Sequence, residues 1–273
     1  SRIVLATLGI EDYGVYNVIA GFVSMFGFLN TSLSNGIQRF YNYELGATGI
    51  LGAQKVFNNG ILIQLSLAAI LLLILESLGV WYINSIIQIP SERISAANYL
   101  FQFSLLSFSL AILQAPYVAA VMAHEKMNFF SLLSLIDAFL KLAIVFLVKY
   151  ATWDKLVVYG FLFSLISVVN FFAYVLYCHT KFDEIKLNLK YDRPLFRKML
   201  SFSGWNVFGS FSNIMKEQGL NMVLNFFFGP IVNAARGVSF QVMSGINGFV
   251  ANVNTTTRPQ IVQSYAKADY ART

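Results

Sequence analysis

The sequence has little charge and few of the residues from which enzyme sites are built. Only 12% of its 273 residues are charged, and it contains one cysteine and two histidines. A single cysteine excludes an internal disulfide. The chain shows no metal-ligand spacing, no phosphate-binding loop and no nucleophile with a neighbouring base. We therefore predict a protein that is not an enzyme, with no catalytic residue, no cofactor and no bound metal.

Apolar residues, by contrast, are abundant and occur in long runs. They make up 57% of the chain, more than a soluble protein of this length can bury in one core. Residues 13–37 carry no charge and predict one continuous helix of roughly 37 Å, enough to cross a bilayer. The full set of predicted spans is 13–37, 56–83, 98–123, 127–148, 156–178, 202–228 and 233–257. The sequence thus predicts an all-α, polytopic membrane protein.

The orientation of these spans follows from the Lys and Arg residues between them. One set of connections holds twelve Lys and Arg residues and the other holds four, and the richer set faces the cytoplasm by the positive-inside rule. This places the turn at 9–12 outside and the polar segment at 38–44 inside. The net charge of +6 is explained by this topology, so we predict no nucleic-acid partner.

A weak internal repeat suggests how the spans are organised. Four residue pairs match at an offset of about 220: Gly9 with Gly229, Val18 with Val238, Ser24 with Ser244 and, after a one-residue slip, Phe28 with Phe249. Six spans fit in one period, and an even number keeps both copies in the same orientation. We expect two parallel, pseudo-symmetric six-helix repeats, of which the chain holds the first and the start of the second. The predicted units are an N-terminal bundle at 1–180, a cytoplasmic linker at 181–199 and, at 200–273, the last span of the first repeat with the start of the C-terminal bundle.

Charged residues inside the predicted spans are the candidate functional residues. Such charges are costly in lipid and should face protein or a water-filled cavity. The cations are Arg2, Lys141, Lys216 and Arg236, and the acids are Asp137, Glu217 and Glu76. The excess of cations favours an anionic ligand such as a phosphate or pyrophosphate. An acid such as Asp137 or Glu217 would instead suit a coupling ion or a cationic drug.

Spacing separates these candidates. Asp137 and Lys141 are four residues apart on one helix and can form an ion pair, which is compatible with a structural or a functional role. Lys216 is the best candidate for a cation that faces a ligand, because it lies near the middle of its span. Arg2 and Arg236 lie nearer the outer ends of theirs and can instead extend toward the membrane surface.

Proline and small polar residues add two further expectations. Pro116 removes a backbone donor within the span at 98–123 and predicts a kink or hinge. The spans at 13–37 and 233–257 are rich in Gly, Ser and Asn. Because asparagine is costly against lipid, we expect these faces along an aqueous path or along the seam between the two bundles.

Two stretches resemble a known family. Residues 2–46, which begin RIVLATLGIEDYG, resemble the opening of bacterial polysaccharide biosynthesis membrane proteins. These are the O-antigen and capsule flippases of the multidrug/oligosaccharidyl-lipid/polysaccharide exporter superfamily. Residues 192–210, DRPLFRKMLSFSGWNVFGS, resemble the start of the second half of these proteins. Against that family the chain looks truncated, because most of the second bundle is missing.

The resemblance implies a MATE-like exporter fold with two bundles around a central cavity. It implies export of an oligosaccharide linked to undecaprenyl pyrophosphate across the bacterial inner membrane by alternating access. Membrane lipids, and a polysaccharide polymerase and glycosyltransferases as partners, belong to the same expectation. The pyrophosphate would engage the deep cations, namely Arg2, Lys141, Lys216 and Arg236. The alternatives are a cation-coupled multidrug antiporter that uses Asp137, and a membrane scaffold without transport activity.

Overall fold

The computed structural model describes the backbone of residues 2–86, 89–186 and 191–266. Side chains are described over the same ranges, except at Arg2 and Ile3, at many positions between 217 and 258, and at Ala266. The helices are α1 (Arg2–Leu8), α2 (Ile10–Ser24), α3 (Gly27–Ala47), α4 (Ile50–Ser85), α5 (Ile94–Ala123), α6 (Met127–Lys149), α7 (Lys155–Lys181) and α8 (Arg193–Ala266). A short 3₁₀ turn, Ser91–Arg93, precedes α5. The described residues contain no strand.

Four helical segments are long and apolar enough to cross a membrane: α4, α5 with its preceding 3₁₀ turn, α6 and α7. They coincide with the spans predicted at 56–83, 98–123, 127–148 and 156–178, which are thereby confirmed. A fifth crossing is formed if α2 and α3 are taken together as one broken span.

The expectation of one continuous helix over 13–37 is wrong. The chain bends by 41° between α2 and α3. At the break, the Ser24 hydroxyl donates to the carbonyl of Gly21 at 2.8 Å, and the Phe26 amide bonds the carbonyl of Val23 at 3.2 Å. Such local bonds, together with small residues, compete with the regular helical ladder and bend it.

The α8 helix differs from the sequence expectation in another way. Its 74 residues have helical backbone throughout, including Gly229 and Pro230, which lie between the spans predicted at 202–228 and 233–257. The fixed φ of proline suits a helix, and only one ladder hydrogen bond is lost there. The spans predicted at 202–228 and 233–257 include many residues whose side chains the structure does not describe, so these two spans stay predictions.

The two ends of α8 nevertheless lie close together. Phe202 and Ile261 line one cavity with Phe40 of α3. A straight helix would separate Phe202 from Ile261 by roughly 90 Å. The chain must therefore reverse direction between them, and both ends of α8 lie against the same end of the first bundle. The start of α8 is capped by Asp192, whose carboxylate accepts from the Leu195 amide at 3.1 Å.

Helix α5 is the centre of the bundle and packs against α2, α3, α4, α6 and α7. Two glycines allow its closest approaches. A Cβ on Gly79 of α4 would lie 2.2 Å from the Phe101 ring, and one on Gly160 of α7 would lie 2.7 Å from a Leu100 methyl. The core around α5 divides into two apolar clusters, one toward the predicted outer end and one toward the predicted cytoplasmic end. This packing fixes α5, α6 and α7 around the cavity described next.

Candidate functional site

A polar cavity of about 340 Å³ lies between α5, α6 and α7. Its polar lining residues are Ser107 and Gln114 of α5, Ser134, Asp137 and Lys141 of α6, and Ser167, Asn170 and Tyr174 of α7. These three helices are otherwise among the most apolar of the chain. Polar side chains that meet inside such a bundle mark a binding site or an ion path.

Asp137 is the centre of this cavity and uses both of its carboxylate oxygens. Lys141 Nζ lies 2.7 Å from Oδ2, and Asn170 Nδ2 donates to Oδ1 at 2.7 Å. The Lys141 ammonium also lies 5.2 Å from the centre of the Phe163 ring. The ion pair predicted from the four-residue spacing is therefore confirmed, and α7 contributes an amide donor to it.

This arrangement can respond to ligands of either sign. The pair is neutral overall, so a cation that binds Asp137 would displace Lys141, and an anion that binds Lys141 would displace Asp137. The side chains remain accessible, at 26% for Asp137 and 43% for Lys141, so a ligand can reach both.

Among the other predicted site residues whose side chains the structure describes, Lys216 and Pro116 do not line this cavity. Lys216 lies on α8 with an exposed side chain, and α8 packs against α3 and α4. The side chains of Arg2, Glu217 and Arg236 lie outside the described residues. The α5 helix continues through Pro116, which is buried, and its role as a hinge stays a prediction.

Sequence reasoning missed Asn170 and Gln114 as members of the site. Asn170 is the only Asn, Gln or charged residue between 156 and 178. An isolated amide in so apolar a span is costly against lipid, so it could have been identified as facing a partner. Its pairing with Asp137 depends on how α6 and α7 pack, which no local pattern shows.

A clamp of three charged side chains closes the predicted outer end of the bundle. Arg93 donates to Asp12 of α2 at 2.8 and 2.6 Å and also bonds Asp154. Asp154 caps α7 by accepting from the amides of Leu156 and Val157. Burial alone would raise the pKa of Asp154, but the bonds from Arg93 and these amides hold that pKa below its usual range.

A second polar cluster ties the linker to the predicted cytoplasmic end. The Glu184 carboxylate is 2% exposed and accepts from the Tyr41 hydroxyl at 2.9 Å. His124 Nε2 bonds the same oxygen, and its ring stacks on Phe182 with centroids 4.2 Å apart. Burial alone would raise the pKa of Glu184, but the bonds from His124 and Tyr41 outweigh it and hold that pKa below its usual range.

The ends of α8 make polar contacts with the first bundle. The hydroxyls of Ser32 and Ser210 lie 2.9 Å apart. Near the other end of α8, Gln260 donates to Glu125 at 3.2 Å, and Gln263 donates to the carbonyl of Ala123. These contacts attach both ends of α8 to the first bundle.

Comparison with known proteins identifies the fold. No family profile matches the sequence, and neither does any curated protein sequence. Among solved structures, 99% of the chain matches 60% of an outward-facing multidrug resistance MATE family transporter of the MOP superfamily, at 16% identity and a TM-score of 0.79. A MOP superfamily transporter from Pyrococcus furiosus matches 97% of the chain and 64% of its own length, at 14% identity and a TM-score of 0.71. The chain thus spans less than two thirds of these proteins. The predicted fold class is confirmed: the chain has an all-α, MATE-like exporter fold.

Proposed function

We propose that the protein is a membrane exporter that works by alternating access, with the cavity around Asp137 and Lys141 as its binding site. The observation that carries this proposal is an accessible ion pair, joined by Asn170, near the middle of a transporter-like bundle. A purely structural pair would not need a cavity of about 340 Å³ beside it. The MATE-like fold supports the same proposal.

The proposed cargo is an undecaprenyl-pyrophosphate-linked oligosaccharide, the O-antigen or capsule unit of a bacterial inner membrane. The resemblance at residues 2–46 and 192–210 supports this substrate. Lys141 would bind the pyrophosphate in place of Asp137, while the lipid tail stays in the bilayer. Arg2, Lys216 and Arg236 remain proposed as further contacts for the anion. The enzymes that build and polymerise the saccharide, glycosyltransferases and a polymerase, are the proposed partners.

A cation-coupled, MATE-like antiporter is the second candidate. The observation in its favour is that both oxygens of Asp137 face donors, Lys141 and Asn170, which a coupling cation or a proton would replace. Glu217 is the other acid proposed for coupling. In this alternative the cargo is a drug that leaves the cell, and Lys141 tunes the affinity of Asp137 for the cation.

Cells that depend on the protein can separate these functions. Lys141→Gln and Asp137→Asn are compared with Lys149→Gln, a matched control because Lys149 is exposed at the end of the same helix. The flippase predicts a loss of surface polysaccharide in Lys141→Gln and no change in drug accumulation. Increased drug accumulation with normal polysaccharide would show the antiporter instead. If neither property changes in either variant, the cavity does not serve transport and the scaffold hypothesis gains support.

A further inference from the structure

A second cavity, of about 220 Å³, lies between α3 and α5. Its polar lining consists of Asn30, Ser34 and Gln38, which are four residues apart on one face of α3, and Gln114 of α5. None of its lining residues is charged. We call this space the amide cavity, because three of its four polar side chains are carboxamides. It differs from the cavity of Asp137 and Lys141 in having no ionisable group.

The amide cavity holds unused hydrogen-bonding groups. Within the part of the chain that the structure describes, the carboxamides of Gln38 and Gln114 have no hydrogen-bond partner. Gln64, which is fully buried, points its Nε2 toward Asn30 at 3.5 Å and Ser34 at 3.3 Å. Its Oε1 has no partner. Gln38 and Gln114 are half-buried and line the cavity, whereas Gln64 does not line it. A polar ligand in the cavity can therefore use the donors and acceptors of Gln38 and Gln114.

The two cavities are neighbours. Ala111, Gln114 and Val118 of α5 line both of them, so one molecule can extend from one cavity into the other past Gln114. Such a molecule would meet a charged pair at one end and neutral carboxamides at the other. A carboxamide offers a donor and an acceptor side by side, which matches the neighbouring hydroxyls of a sugar ring.

We propose that the amide cavity is a sugar-binding subsite, in which Gln38 and Gln114 bind hydroxyl groups of the cargo while Lys141 binds its charged group. This inference rests on the proposed export function and adds the residues that bind the saccharide. An apolar cationic drug would leave the carboxamides unpaired and would bind here poorly. The ligand class is therefore a neutral, polyhydroxylated group attached to an anionic one.

Binding measurements on the protein in lipid nanodiscs test the subsite. The probes are undecaprenyl pyrophosphate alone and the same carrier bearing glucose, galactose or N-acetylglucosamine. Wild type should bind at least one glycosylated carrier more tightly than the bare carrier. In Gln38→Leu and Gln114→Leu this preference should fall by about fivefold each, the share of one neutral hydrogen bond. Affinity for the bare carrier should stay unchanged in Gln38→Leu, because Gln38 does not line the cavity of Asp137 and Lys141. Lys141→Gln should bind all four probes more weakly than wild type does.

The control variant is Gln102→Leu, which makes the same chemical change on α5. Gln102 is exposed, bonds Glu76 at 3.1 Å and lines neither cavity. The Gln102→Leu variant should therefore prefer the glycosylated carriers as strongly as wild type does. Equal binding of bare and glycosylated carriers by wild type would overturn the sugar subsite and leave the proposed export function standing. An unchanged preference for the glycosylated carriers in both Gln38→Leu and Gln114→Leu would also overturn the sugar subsite. If no carrier binds at all, the proposed cargo itself is wrong.

Discussion

Replacement of Glu184 by Gln should destabilise the predicted cytoplasmic end of the bundle. Glu184 is buried and accepts hydrogen bonds from Tyr41 and His124. A bond to a charged acceptor contributes about 1.5–3 kcal/mol and a neutral one about 0.5–1.5 kcal/mol. Glutamine keeps the acceptor oxygen and loses the charge, so the difference over two bonds is about 2 kcal/mol. This corresponds to a fall in melting temperature of roughly 4–8 °C.

The single cysteine supplies a direct assay. Cys178 is buried, and its thiol bonds the carbonyl of Tyr117 at 3.6 Å within the same cytoplasmic-end core. A maleimide dye that fluoresces on reaction with a thiol therefore reports the loss of this packing during heating. The control variant is Asp183→Asn, because Asp183 is the exposed neighbour of Glu184. Equal melting of Glu184→Gln, Asp183→Asn and wild type would refute the reasoning.

The same cluster predicts a pH dependence. Because the pKa of Glu184 is lower in the folded protein than its usual value, its carboxylate contributes stability above the unfolded pKa of about 4.3. That contribution is lost as the pH falls through the lower, folded pKa. The stability difference that separates wild type from Glu184→Gln at about pH 5 should therefore shrink in stronger acid. A difference that grows with acidification contradicts the assignment.

Two further predictions concern the outer end and the central packing, and both use the same thermal assay. Arg93→Gln should destabilise the protein by about 1–2 kcal/mol and so lower the melting temperature more than Lys149→Gln does. The reason is that Asp12 loses a two-bond partner that is largely shielded from solvent. Equal melting of the two variants would show that the clamp contributes nothing. Gly79→Val should cost about 1–3 kcal/mol by overpacking against Phe101, whereas Gly14→Val, with no neighbour within 4 Å of its Cβ position, should cost clearly less.

Local patterns in the sequence were sufficient to predict much of the fold. Uncharged runs of span length identified α4, α5, α6 and α7 because hydrophobic length is a property of one segment. The Asp137–Lys141 pair was predictable for the same reason, since a four-residue spacing places both side chains on one helix face. The bend between α2 and α3 was missed, because the Ser24 hydroxyl can bond within either a straight or a bent helix.

Contacts between distant segments were beyond the sequence. Asn170 reaches Asp137 only because α6 and α7 pack together, and Gln114 joins two cavities because α5 lies at the centre. Glu184 occurs in a polar stretch that suggested only a linker, yet it is buried against α3 and the end of α5. The role of each of these side chains depends on the residue that it contacts on another helix. A single sequence does not show which helices meet.

The central claim, that the cavity of Asp137 and Lys141 binds transported cargo, is tested most directly by a transport rate. The measurement is the movement of undecaprenyl-pyrophosphate-linked oligosaccharide across the membrane of vesicles that contain the protein. A lectin added outside detects the oligosaccharide that has reached the outer leaflet. We predict that wild type and Lys149→Gln move it at similar rates. Lys141→Gln should be roughly ten- to a hundredfold slower, as expected for one lost charge-assisted bond. Equal rates in Lys141→Gln and wild type would contradict the account.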